Sequence, residues 1–190
     1  TLQSDPFNVE IELDENGCFT YDEDSYHELY CTATDGLGNT AELYEADIVD
    51  TAAPNTWHQI TGPSYGEFPM WIDGVSRVEL SARDAEPHPV GVDATYFRYE
   101  LVNDNYCSGE YEGWETTSTN DESWMTYSEP FGMEESCHVV EYYSVDMLGN
   151  EEEVNYFFVF VDKTAPMPIK EVGTPSHNCD SLWEEISGEC

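Results

Sequence analysis

Basic residues are almost missing from this chain. Only 5 of its 190 residues are Lys or Arg, against 41 Asp and Glu, and none of them precedes Arg77. The formal net charge of −36 excludes nucleic acid as a partner, because a phosphate backbone would meet a repelling surface. It disfavours an anionic membrane surface for the same reason. No run of about 18 apolar residues occurs, so no membrane insertion is expected. No basic segment followed by an apolar run opens the chain, so no signal peptide is expected in it. The absence of any C-x-x-C pair leaves zinc ligation little support. No N-x-S/T sequon appears, and N-glycosylation of that type is not expected. Catalytic motifs are missing too: there is no G-x-S-x-G elbow, no P-loop and no H-E-x-x-H, and His27-Glu28 lacks a second histidine at the needed spacing. Neighbouring carboxylates are so common here that they carry no evidence for glycoside hydrolysis. No enzyme activity is expected.

What is present is acid and aromatic. Thirteen Tyr, 8 Phe and 5 Trp argue against disorder, since aromatics bury large areas. So acidic a surface cannot neutralise itself with ion pairs and needs counter-ions. Two readings stay open: a hydrated face adapted to a saline medium, or Ca²⁺ sites built from hard carboxylate oxygens. Six Cys suit disulfides, which imply an oxidising, extracellular setting.

Two segments repeat. Residues 27–54 read HELYCTATDGLGNTAELYEADIVDTAAP, and residues 138–166 read HVVEYYSVDMLGNEEEVNYFFVFVDKTAP. Asp35, Gly38 and Asn39 match Asp146, Gly149 and Asn150 at an offset of 111; Asp50 and Pro54 match Asp162 and Pro166 at 112. Each segment predicts an antiparallel hairpin: alternating strand residues, a turn whose Gly and Asn tolerate positive φ, and a return strand stopped by proline. The 112 offset continues, with Ile60, Pro63, Ser64 and Trp71 matching Val172, Pro175, Ser176 and Trp183. Residues 167–190 therefore read as the start of a further domain, and residues 1–54 as a domain lacking its start. Joining Cys190 to Thr1 sets Leu2 on Leu80 and Asp5 close to Asp84. Three explanations are open: one period of a continuous tandem array, a separate subunit whose tail completes its neighbour by donor-strand exchange, or simple truncation of a long protein. On the first two, Leu2 sits on a strand begun by an adjoining unit, and an isolated chain leaves Val9, Ile11 and Leu29 open to water.

The strings EYYSVDMLGN, VDKTAP, LSARDAEPHPVGVDATYFRYEL and ITGPSYG resemble the Ig-like repeats of archaeal and bacterial multi-domain cell-surface proteins. The resemblance implies an all-β fold of tandem Ig-like β-sandwich domains, one of them split between the two ends of the chain. Residues 1–54 form the C-terminal part of a short domain. Residues 55–166 form a complete one with a long insertion near 108–128, and 167–190 supply the first strands of the next. It also implies an extracellular, cell-surface role. The expected function is a structural repeat of a fibre or stalk, with copies of itself as head-to-tail partners. The alternative is an adhesin module binding a glycan or another cell-surface ligand.

Cys107 follows the strand DATYFRYELV and Cys137 precedes the strand HVVEYYSV, and these strands should be antiparallel neighbours, which predicts a Cys107–Cys137 bridge. Cys18 stands where Cys107 does at an offset of 89, and pairs with Cys31 across a hairpin centred on Asp24-Ser25. Cys179–Cys190 follows by elimination, with Cys190–Cys31 as its rival. For Ca²⁺ there are two candidates. Glu12, Asp14, Asn16 and Glu23 approach EF-hand spacing around Gly17, although the same residues also make an ordinary β-turn. Head-to-tail stacking would bring Asp50 near loops carrying Asp84, Glu86, Asp93 and Asp146. Of these, Asp50, Asp84 and Glu86 are the junction candidates, with Asp162 for the following junction. Asp35 and Asp146 are read instead as acceptors of turn amides. Trp114 and Trp124, in the long polar connection, are the expected exposed pair for a ligand or lateral contact.

Overall fold

A computed structural model of the chain describes residues 2–4, 9–10, 12–21, 23–68, 70–110 and 113–169, with the backbone alone for 2–4 and 9–10. Thr1, Asp5, Ile11, Trp183, Cys179 and Cys190, and with them the last expected disulfide and nearly all of the segment 167–190, lie outside these residues. So do the side chains of Leu2 and Val9.

The described chain is nearly all-β. In order it forms β1 (Leu2–Ser4), β2 (Val9–Glu10), β3 (Ser25–Thr34), β4 (Thr40–Val49), β5 (Asn55–Thr61), β6 (Ser64–Tyr65) and β7 (Trp71–Asp73). It continues through β8 (Arg77–Arg83), β9 (Val92–Leu101), a one-turn helix α1 (Asp104–Cys107), β10 (Met125–Thr126), β11 (Ser136–Asp146) and β12 (Asn155–Asp162). The strands make a four-stranded sheet β2-β1-β3-β4, a six-stranded sheet β10-β9-β11-β12-β7-β6 and a two-stranded sheet β5-β8.

The six- and two-stranded sheets enclose the core, an arrangement compatible with a β-sandwich. Val78 and Leu80 of β8 pack with Phe97 of β9, Val140 and Tyr142 of β11, and Val159 of β12. Each such side chain contributes about 1.5–3 kcal/mol by leaving water. β5 is tied to β11 by polar groups at its start: the Thr56 amide donates to Glu152 Oε1 at 2.8 Å, and the Thr56 and Ser144 hydroxyls lie 2.6 Å apart.

The two repeated hairpins share one register. Val140 faces Phe157 as Leu29 faces Glu45, the same pairing after the offsets of 111 and 112. Their turns also match. Gly38 and Gly149 take φ of +88° and +90°, the left-handed conformation that glycine adopts without strain. In the first strand of each hairpin a histidine ring reaches back to the preceding chain: His27 Nε2 meets the Glu23 carbonyl and His138 Nε2 the Glu134 carbonyl.

Their surroundings differ. β11 is buried along nearly its whole length, on both faces. Its inner face meets the core, and Trp114, Thr117, Thr119 and Trp124 of the connection lie over its outer face. Glu141, fully buried, accepts hydrogen bonds from Trp114 Nε1 at 2.8 Å and the Thr117 amide at 2.9 Å, and pairs with Arg98 at 2.7 Å. Arg98 also donates to the Thr117 hydroxyl. Burial opposes ionisation of Glu141, but the bonds from Trp114, Thr117 and Arg98 outweigh it and hold its carboxyl below the usual range. The cover is pinned by a Cys107–Cys137 disulfide. Trp124 is used in the same way: its indole donates to the Ser118 carbonyl and its ring stands edge-on to Tyr143. Trp114 and Trp124, expected as an exposed pair, are both half-buried and have these structural partners.

Among the described residues the four-stranded sheet has no such cover. Tyr26, Tyr30, Leu43, Tyr44 and Ile48 are 46–55% exposed. Leu29, expected to be open to water, is nevertheless buried, at 7% exposure. The hairpin centred on Asp24-Ser25 does not form, because β3 begins at Ser25 and takes β1 and β4 as its neighbours, with Leu2 opposite Cys31. Residues 12–21 instead close a separate loop. Cys18 and Cys31 are accordingly free thiols, one exposed and one half-buried, rather than the bridge the spacing predicts.

Candidate metal centre

Three aspartates meet where the four-stranded sheet gives way to the rest of the chain. Asp50 follows β4, Asp84 follows β8, and Asp146 ends β11. All three are buried, at 6%, 6% and 2% exposure. One carboxylate oxygen from each lies within 4.8 Å of the others. Among the described residues this is the only group of three or more His, Cys, Asp or Glu side chains so arranged.

Each aspartate is held by local backbone. Asp50 accepts from the amides of Ala52 at 3.0 Å and Val90 at 3.2 Å. Asp84 accepts from Ala85 at 2.9 Å and Gly91 at 2.6 Å. Asp146 accepts from the Leu148 and Asn150 amides and from Asn150 Nδ2, at 2.7–2.9 Å. Burial pushes the Asp146 carboxyl up, yet the bonds from Asn150, Leu148 and Gly149 prevail and keep it below the usual range. No Lys or Arg offsets the cluster: none of the ion pairs among the described residues includes any of the three. Two like charges 4.8 Å apart repel by about 3.5 kcal/mol at an effective dielectric of 20. Amide dipoles relieve part of that. A cation coordinated by the three carboxylates would relieve the rest, and an all-oxygen donor set suits a hard ion such as Ca²⁺ or Mg²⁺.

The sequence candidates divide accordingly. Asp50 and Asp84 are brought together, and Asp146 joins them although its motif reads only as a turn. That turn reading also holds for its hydrogen bonds; burial against Asp50 adds the second role. Glu86 is not part of the group, because its exposed carboxylate pairs with Arg83 at 2.9 Å. Asp93 is exposed on β9. Asp162, exposed at the end of β12, accepts the Thr164 amide. Glu12, Asp14, Asn16 and Glu23 do not converge. Asp14 Oδ1 accepts the Asn16 and Cys18 amides, and Gly17 takes φ +81°, so this segment is the ordinary turn. Glu12 and Glu23 are exposed, and the Glu23 carbonyl faces His27.

Compared with known protein families and with curated proteins, the chain matches none.

Proposed function

We propose that the chain is a structural repeat of an extracellular fibre or cell-surface stalk, built from Ig-like β-sandwich domains assembled head to tail, with Ca²⁺ at the Asp50–Asp84–Asp146 joint. The observation that carries this reading is the joint itself. Carboxylates from the end of one sheet unit and from two loops of the next are buried together, so an ion held there would fix the angle between units. The Cys107–Cys137 bridge fits an oxidising compartment. The acidic surface fits a medium rich in salt or divalent cations.

The adhesin alternative is less favoured, since the Trp114 indole is engaged by the buried Glu141 and the Trp124 indole by the Ser118 carbonyl of its own loop. Imaging of the native material tests the class: long uniform threads are expected, and dispersed globular particles would reject it. Terbium luminescence titrated with Ca²⁺ tests the centre. Saturable sensitised emission, displaced by Ca²⁺ and lost in Asp84→Asn, is expected.

A further inference from the structure

The joint inside the chain has two halves, a strap and a turn, and each occurs a second time without the other half against it among the described residues.

The strap is Asp50-Thr-Ala-Ala-Pro54. Asp50 Oδ1 accepts the amide two residues on, Ala52, at 3.0 Å, and this bend presents the Asp50 carbonyl to the next unit. The strap is tethered to its own unit where Asp24 accepts the Thr51 amide and hydroxyl at 3.0 and 2.7 Å. The turn is Asp146-Met-Leu-Gly-Asn150. Asn150 Nδ2 donates to Asp146 Oδ2 at 2.7 Å and also, across the joint, to the Asp50 carbonyl at 3.0 Å.

The second strap is Asp162-Lys-Thr-Ala-Pro166. Asp162 Oδ1 accepts the Thr164 amide two residues on, at 2.8 Å. Its tether is Glu135, which stands 111 residues after Asp24 and accepts the Thr164 hydroxyl at 2.7 Å. The whole strap is exposed.

The second turn is Asp35-Gly-Leu-Gly-Asn39, and it repeats the first bond for bond. Asp35 Oδ1 accepts the Leu37 and Asn39 amides at 2.8 and 2.9 Å, and Asn39 Nδ2 donates to Asp35 Oδ2 at 2.7 Å. Its backbone closes as the other does, Asp35 amide to Asn39 carbonyl and Gly38 amide to Asp35 carbonyl. What differs is the far side. Among the described residues Asn39 has no counterpart of the Asp50 carbonyl, and the turn is exposed, Leu37 at 91%.

We propose that the Asp162–Pro166 strap of one copy of this chain docks on the Asp35–Asn39 turn of a second copy, Asn39 donating to the Asp162 carbonyl as Asn150 donates to that of Asp50. This rests on the head-to-tail reading above and adds the surfaces that meet. Because strap and turn are different patches, the contact is heterologous and propagates into an open filament unless a rotation closes it into a ring.

Mixing two variants tests this. Asn39→Ala removes the acceptor turn's donor and leaves the strap whole; Asp162→Ala unbends the strap and leaves the turn whole. Both positions are exposed, and unchanged near-ultraviolet dichroism will confirm that each variant is folded. The full chain is followed by sedimentation velocity and electron microscopy with Ca²⁺ present. Wild type is expected to form filaments. Each variant alone is expected to associate at least about tenfold more weakly, Asn39→Ala by losing the bond to the Asp162 carbonyl and Asp162→Ala because its strap no longer holds that carbonyl in place. An equimolar mixture is expected to stop at heterodimers, one live strap on one live turn. Filaments from wild type and from both variants alike would overturn the docking surfaces while the fibre reading stands. A wild type that stays monomeric at all concentrations and yields no threads would overturn both.

Discussion

Asn150 donates its side-chain amide to the main-chain carbonyl of Asp50, one hundred residues earlier, at 3.0 Å. The same amide group holds Asp146. One side chain thus ties the end of the four-stranded sheet to the turn that follows β11.

Asn150→Ala is expected to lose both bonds and leave the buried Asp50 carbonyl without its donor. The cost should be about 1–3 kcal/mol. Hydrogen exchange locates it: amides of β3 and β4 should exchange faster relative to those of β11. Uniform loss across all sheets would contradict a role at the joint.

Divalent cations are expected to raise the melting temperature. One site at one hundred times its dissociation constant adds about 2.7 kcal/mol. NaCl should reproduce only the part due to screening, and Asp84→Asn should abolish the remainder. A melting temperature unmoved by EDTA at low salt would remove the ion from the joint.

Glu141→Leu is expected to cost about 1–3 kcal/mol, because it leaves the Trp114 indole and the Thr117 amide without their acceptor and removes one of the two carboxylates paired with Arg98. The pH dependence has a definite sign. A carboxyl held below its unfolded value stabilises the fold above that unfolded value, and the stabilisation disappears as pH falls through the depressed one. Wild type should therefore lose stability on acidification more steeply than Glu141→Gln. Parallel acid melting curves for the two would refute the assignment.

Native alkylation without reductant should label Cys18 quickly and Cys31 slowly, and leave Cys107 and Cys137 unlabelled. Reduction is expected to cost about 3–4 kcal/mol for a closed loop of this size, on the chain-entropy account. A peptide joining Cys18 to Cys31 would restore the pairing that spacing suggested.

The hairpins were legible because each carries its own instructions: alternation, a Gly-Asn turn and a terminal proline. The Cys107–Cys137 bridge was legible because it follows from β9 and β11 being neighbours. The joint was only half legible. Asp50 and Asp84 stood out by position, whereas Asp146 has a full set of local partners, and its burial is decided by residues far away in the chain. The use of 108–128 was hidden for a similar reason. It depends on Glu141, although a lone acid between Val140 and Tyr142 in an apolar strand was a signal, as was one of only five basic residues placed mid-strand at Arg98. The Cys18–Cys31 pairing failed because an offset of 89 carried over a residue type without the strand that positions it.

The bridge from Cys107 to Cys137 brackets the long connection over β11. The described residues of that connection are mostly polar and largely without regular structure, the kind of segment a protease nicks. A cut anywhere between the two cysteines opens the backbone but releases nothing. The nicked molecule runs as one band until thiol is added and then as two, so wear at this surface accumulates without severing the chain.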